Sequence, residues 1–176
     1  VRGRAFLRTV LASRLDRPPR SLVIDAGPHG KPFVAGGPHF NLSHSGGWAV
    51  LAISTRGPVG IDIECDDGKM ETGGVAESCF ACDELDALRS ASPHTARRCF
   101  FACWTAKEAL MKMTGQGMAL APLAIELRLE DGWPRGYLRP AVPRAALRFV
   151  ETGVANATCC IAVSSEPERN SGGVGQ

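Results

Sequence analysis

The stretch CFFACWTAKEALMKMTG, from Cys99 to Gly115, constrains the fold more than any other part of the chain. It is built of strong helix formers and ends on a glycine, so it predicts a helix over residues 97–114. At about 100° per residue, Phe100, Phe101, Trp104 and Met111 fall on one broad stripe, and a helix with such a stripe must be packed into a core. Glu108 falls on the same stripe. An unpaired carboxylate is costly to bury. Either Lys112, one turn later, neutralises it in an i,i+4 pair worth about 0.2–0.5 kcal/mol, or a metal ion does.

Other elements follow from periodicity and punctuation. RAFLRTVLASRL reads as a helix over residues 4–15 whose apolar face packs on the strand WAVLAIS. Pro18 and Pro19 break the chain, SLVID is a short strand, and residues 26–40 are a loop rich in Gly and Pro. WAVLAIS and PVGIDIE are strands, and residues 65–75 form a polar loop. CDELDALRS starts a helix capped by Asp83. LAIELRLE and WPRGYLRP form a hairpin turning at Asp131-Gly132, and ALRFVE and ATCCIAVSS are closing strands. The tail 166–176 is polar, Gly-rich and expected to be disordered.

The totals exclude several function classes. A chain of 176 residues forms one domain or two small halves. A net charge of +2 offers no footprint for nucleic acid. No apolar run reaches the ~20 residues of a membrane helix, and the first residues do not resemble a signal peptide, because Arg2, Arg4 and Arg8 break any apolar core. Seven cysteines, an odd number without framework spacing, point to reduced thiols in the cytoplasm. Cys79 and Cys82 form a CxxC, but neither a second pair nor a nearby His completes a zinc set.

In VGIDIE, period-two alternation puts Asp62 and Glu64 on one face, about 6.6 Å apart. Two carboxylates at that spacing suit a hard cation such as Mg²⁺, and they equally suit a solvated acidic face. Gly60 before them permits close backbone approach. FNLSHSGG offers Ser43, His44, Ser45 and two glycines in a bend that suits phosphate oxygens, or a capped turn with His44 exposed. HGKP contributes Lys31 on a Pro-stiffened loop. Lys107 and Lys112 flank Glu108 on the long helix, a plausible face for a diphosphate and its metal.

The order GKP, FNLSHS, GIDIE and WTAKEALMK…GQG resembles the 4'-phosphopantetheinyl transferases of the Sfp-type class over residues 4–164, nearly the whole chain. The small holo-acyl-carrier-protein synthases share the acidic strand and the KEA helix, but carry their Ser-His motif downstream. Here Ser43-His44 precedes Asp62. The resemblance implies an α+β monomer of two similar halves with pseudo-twofold symmetry, residues 1–56 and 57–165. It implies transfer of 4'-phosphopantetheine from coenzyme A to a serine of an acyl or peptidyl carrier protein. By position it makes Asp62, Glu64 and Glu108 the Mg²⁺ ligands, with Glu108 also deprotonating the serine. Lys31, Ser43, His44, Lys107 and Lys112 become coenzyme contacts in one cleft, with His44 on the 3'-phosphate and Lys112 at the reacting diphosphate.

The family carries some forty or more residues before the RAFLR helix, so the first half is expected to be incomplete, with an unpaired sheet edge. Two alternatives stand beside the enzyme. One is an inactive homologue that only binds carrier protein or coenzyme A. The other is a metal-dependent nuclease, which needs a lysine two residues after its acid, where this chain has Asp66 and Leu110.

Overall fold

A computed structural model describes residues 2–139 and 144–165. It is a mixed α+β structure. Helix α1 (Arg2–Arg14) leads to two short paired strands, β1 (Asp25–Ala26) and β2 (Pro32–Phe33). Strands β3 (His39–Ser45) and β4 (Trp48–Ser54) make an antiparallel hairpin. Its two turn residues, Gly46 and Gly47, sit at φ 56° and 83°, the left-handed pair that tight hairpins require. Strand β5 (Val59–Cys65) follows, then helices α2 (Thr72–Cys79), α3 (Cys82–Ser90) and α4 (Pro93–Thr114). Strands β6 (Leu127–Glu130) and β7 (Trp133–Tyr137) form the hairpin expected around Asp131-Gly132, and β8 (Ala145–Phe149) and β9 (Ala157–Ser164) close the described chain. The main sheet has the order β5-β9-β8, antiparallel throughout. Among the described residues no helix is long and apolar enough to cross a membrane.

Three reasons in the sequence place α4. Ser92 accepts a hydrogen bond from the Thr95 amide at 3.4 Å, and Pro93 occupies the first turn, where its missing N–H is not needed. The helix therefore starts four residues earlier than its apolar stripe suggests. Gly115 ends it at φ 74°. At Gly60 the backbone of β5 approaches the helix so closely that a Cβ would lie 2.0 Å from the Ala109 carbonyl oxygen and 2.4 Å from the Met113 amide nitrogen. Only glycine permits that approach, and it seats α4 directly against the start of β5. The main core gathers around this helix, with Phe80, Phe100, Leu110, Met113, Ile125 and Leu127.

Two further clusters complete the interior. Leu7, Leu11 and Ala12 of α1 pack with Leu22, Val34 and Phe40, and Leu51 and Ile53 of β4 are partly buried beside them. Ile61 and Ile63 of β5 pack on Ala52 of β4 and Cys159 of β9. The first helix thus covers the β3–β4 hairpin as a whole rather than WAVLAIS alone. That hairpin carries two strands and no more among the described residues.

The structure departs from the sequence reading in five further places. SLVID is not a strand: Ser21 ends a short 3-10 turn and only Asp25 is paired, in β1. FNLSHS is a strand rather than a bend. Part of the expected loop before Cys82 is helix α2, which buries Ala76 despite Gly73 and Gly74. In α3 the first-turn contact is made by Glu84, whose carboxylate accepts from the Ala81 amide at 2.8 Å, and not by Asp83. Residues 26–40 contain the β1–β2 pair. The tail 166–176 lies outside the described residues.

Candidate active site

Strand β3 does not pair with β5 through its backbone. It lies beside it, and every second side chain satisfies an amide on the β5 edge. Asn41 Oδ1 accepts from Ile61 N–H at 2.8 Å, Ser43 Oγ from Ile63 N–H at 3.4 Å, and Ser45 Oγ from Cys65 N–H at 3.0 Å. This polar ladder gives β5 partners on both edges and leaves few backbone groups unpaired. It also brings two hydroxyls to the acids of β5. Ser43 donates to Asp62 Oδ1 at 2.8 Å, and Ser45 donates to Glu64 Oε2 at 3.0 Å.

Gly60, Asp62 and Glu64 share the face of β5 that meets α4. Asp62 is only 2% exposed, so it does not belong to a solvated acidic face. Lys112 Nζ reaches down from α4 to Asp62 Oδ1 at 2.5 Å, donates to Ser43 Oγ at 3.1 Å, and stands 4.0 Å from Glu108 Oε2. The Trp104 side chain beside Glu64 favours its charged form. Burial raises the proton affinity of Glu64, and the neighbouring Asp62 charge raises it further. Burial likewise raises that of Glu108. Lys112 opposes the shift, and Asp62 and Glu64 add to it. Asp62 Oδ2 is buried with no hydrogen-bond partner among the described residues, an arrangement that native structures seldom leave unexplained.

Asp62, Glu64, Glu108, Ser43 and Lys112 therefore form one neighbourhood, but the acids do not converge on a single point. Among the described residues no three acidic, His or Cys side chains form a ready set of metal ligands. The Lys112 ammonium is the cation in contact with Asp62 here. The Lys112 answer to the buried-acid problem is thus partly right. Lys112 does neutralise this acid group, yet its close partner is Asp62 and not Glu108.

Three of the expected coenzyme contacts lie elsewhere. Lys107 is fully buried, 2.7 Å from Glu84, and donates to the carbonyls of Cys79 at 2.9 Å and Pro122 at 3.2 Å. It points toward α3, about 100° round the helix from Glu108, so it fixes α4 and has no access to a diphosphate. His44 is exposed and alternates to the opposite face of β3 from Ser43 and Ser45. Lys31 donates to the carbonyls of Val59 and Met113, each at 3.0 Å, at the C-terminal end of α4, and neither bond involves the acids. The expected single cleft of five contacts is not formed in this conformation.

Sequence reasoning gave no role to Asn41 or Trp104 and named Ser45 only as a donor. The signal was present, as polar residues at period two in NLSHS. Asp66, at the position where the nuclease alternative needs a lysine, forms an ion pair with Arg97 at 2.6 Å. A cavity of about 890 Å³ opens beside the N-terminal half of α4 between Arg97, Arg98, Phe101, Trp133 and Phe149. None of Asp62, Glu64 or Glu108 lines it.

The site is a buried acidic strand crossed by a lysine-bearing helix, and comparison with known proteins gives the class of protein that carries it. The model of the 4'-phosphopantetheinyl transferase superfamily matches residues 58–162, and the chain belongs to that family. A 4'-phosphopantetheinyl transferase of Bacillus subtilis is 33% identical over 133 residues, which is 73% of this chain and 57% of that protein. The 4'-phosphopantetheinyl transferase psf-1 of Bacillus pumilus is 37% identical over 133 residues, 74% of this chain and 56% of that protein. The chain thus spans little more than half the length of these curated relatives. A crystal structure of a holo-(acyl-carrier-protein) synthase from Bacillus anthracis in complex with CoA superposes with a TM-score of 0.47 at 18% identity, covering 60% of this chain and 92% of that one.

Proposed function

We propose that this chain transfers the 4'-phosphopantetheine group of coenzyme A to a serine of an acyl or peptidyl carrier protein, with Mg²⁺ at Asp62, Glu64 and Glu108. One observation carries the reading: Asp62 is buried with one oxygen unpartnered, and two further acids of raised proton affinity stand beside it. Oxygen donors of this kind fit a hard divalent cation, and a cation would relieve the repulsion that lifts Glu64 and Glu108. When bound, Mg²⁺ would neutralise charge on the diphosphate of the coenzyme.

The side chains of the chain supply the remainder. Glu108 is partly open to solvent, 18% by side chain, so its carboxylate is within reach of an incoming hydroxyl whose proton it can accept. Lys112 supplies a fixed positive charge at the same place, where negative charge accumulates on the leaving diphosphate. Ser43 and Ser45 hold Asp62 and Glu64 in their rotamers. No nucleophile on the protein is required, because the carrier serine attacks directly. The seven free thiols suit the reducing conditions of the cytoplasm.

The test is the mass of an apo carrier protein incubated with this chain, coenzyme A and Mg²⁺. A gain of one phosphopantetheine group, lost in Asp62→Ala, is expected. No gain, together with retained binding of coenzyme A or carrier protein, would establish the inactive binding homologue instead.

A further inference from the structure

Lys112 occupies a position that two different ligands would contest. Its ammonium has three protons. Two are directed at Asp62 Oδ1, 2.5 Å away, and Ser43 Oγ, 3.1 Å away, and the group stands 4.0 Å from Glu108. Ser43 Oγ is itself saturated, because it donates to Asp62 and accepts from both Lys112 and the Ile63 amide. The only buried carboxylate oxygen of this group left without a partner among the described residues is Asp62 Oδ2, on the same carboxylate that Lys112 already holds. A divalent cation approaching that oxygen meets a positive charge a few ångströms away, in a site only partly screened by water. Lys112 is also able to leave. It is in the last turn of α4, three residues before the helix stop at Gly115, and 27% of its side chain is exposed.

Resting on the proposed cation site, we propose that Lys112 is an exchangeable counter-ion. In the free protein it neutralises Asp62 and weakens cation binding. An anionic diphosphate draws the ammonium off Asp62 and so opens the carboxylate to the cation. Lysine suits this exchange because it binds phosphate as a point charge on a flexible stem, without the geometric lock of an arginine fork. The coenzyme and the cation then bind with positive coupling, and the coupling factor is the same whichever ligand comes first. A cation alone binds poorly, and the acid group is not left unpaired while the chain waits for substrate.

The experiment titrates the full chain with Mn²⁺ alone, reading free Mn²⁺ by electron paramagnetic resonance. Lys112→Met is expected to bind the ion at least ten-fold more tightly than the parent chain, and Lys112→Arg is expected to remain as weak as the parent. Unchanged or weaker binding in a folded Lys112→Met overturns the exchange. A second measurement does not depend on the variant folding. The Lys112 side-chain ¹³Cε resonance of the parent chain is expected to move when coenzyme A is added without metal, and an unmoved resonance also overturns it. Asp62→Ala separates the two levels of the argument. If it leaves Mn²⁺ binding intact, the cation site itself is misplaced. If it abolishes binding while Lys112→Met has no effect, the cation site stands and the exchange fails.

Discussion

At the scale of single residues, Lys31 shows how far a side chain's role depends on distant partners. In the sequence it is a lysine in a short Pro-stiffened loop. In the structure it caps carbonyls at the end of α4 and the start of β5, 82 and 28 residues away. A cation at a helix C-terminus is favourable, but burial works against the charge and lowers its pKa from 10.5 to about 8. Lys31 is therefore expected to titrate near pH 8 in ¹³C NMR of the lysine side chains, below its exposed counterparts. The linkage has a definite sign. Between pH 8 and 10.5 the unfolded chain holds the proton that the folded chain has released, so the Lys31 contribution makes stability rise with pH across that window. Lys31→Met is expected to remove that rise in urea unfolding measured at a series of pH values.

Among elements, α4 was the most legible and Lys107 the least. The apolar stripe and the glycine stop were plain in the sequence, and the helix buries that stripe as expected. The wheel also placed Lys107 next to Glu108, but it could not tell whether that edge would meet a cleft or another helix. The answer lies in Glu84, which accepts from Lys107, from the Ala81 amide and from the Leu127 amide at 2.8 Å, tying α3, α4 and β6 together. Sequence patterns miss such a node because its members are scattered and its partners are backbone groups. Helix α2 was hidden for a different reason: two glycines near its start lower local propensity, and burial of Ala76 outweighs them. Lys107→Met leaves Glu84 charged and buried without its cation, so a loss of about 3–5 kcal/mol is expected by urea denaturation. Adding Glu84→Gln to that variant should recover part of the loss, since the remaining side chain is neutral and still accepts a hydrogen bond.

For the whole molecule, the joint between the N-terminal hairpin and the main sheet is made by three polar side chains and an apolar patch, not by a continuous strand ladder. Strand β3 was misread as a bend because its period-two residues are Asn and Ser, where a half-buried strand usually alternates apolar residues. Its pattern is directed at the edge of β5 instead of at a core. Ser43→Ala with Ser45→Ala is expected to accelerate amide hydrogen exchange at Ile63 and Cys65, which those hydroxyls cover, while Ile61 stays protected by Asn41. Equal protection at all three amides in the double variant would mean that the ladder is incidental to the joint. The same joint has a consequence for the life of the chain in a cell. Asp62, Glu64, Glu108 and Lys112 all lie on β5 and α4, and β3 adds the hydroxyls of Ser43 and Ser45 that hold two of the acids. A newly made or damaged chain whose hairpin has not docked keeps its acids together but bares the β5 edge amides, an open strand edge that other chains can pair with.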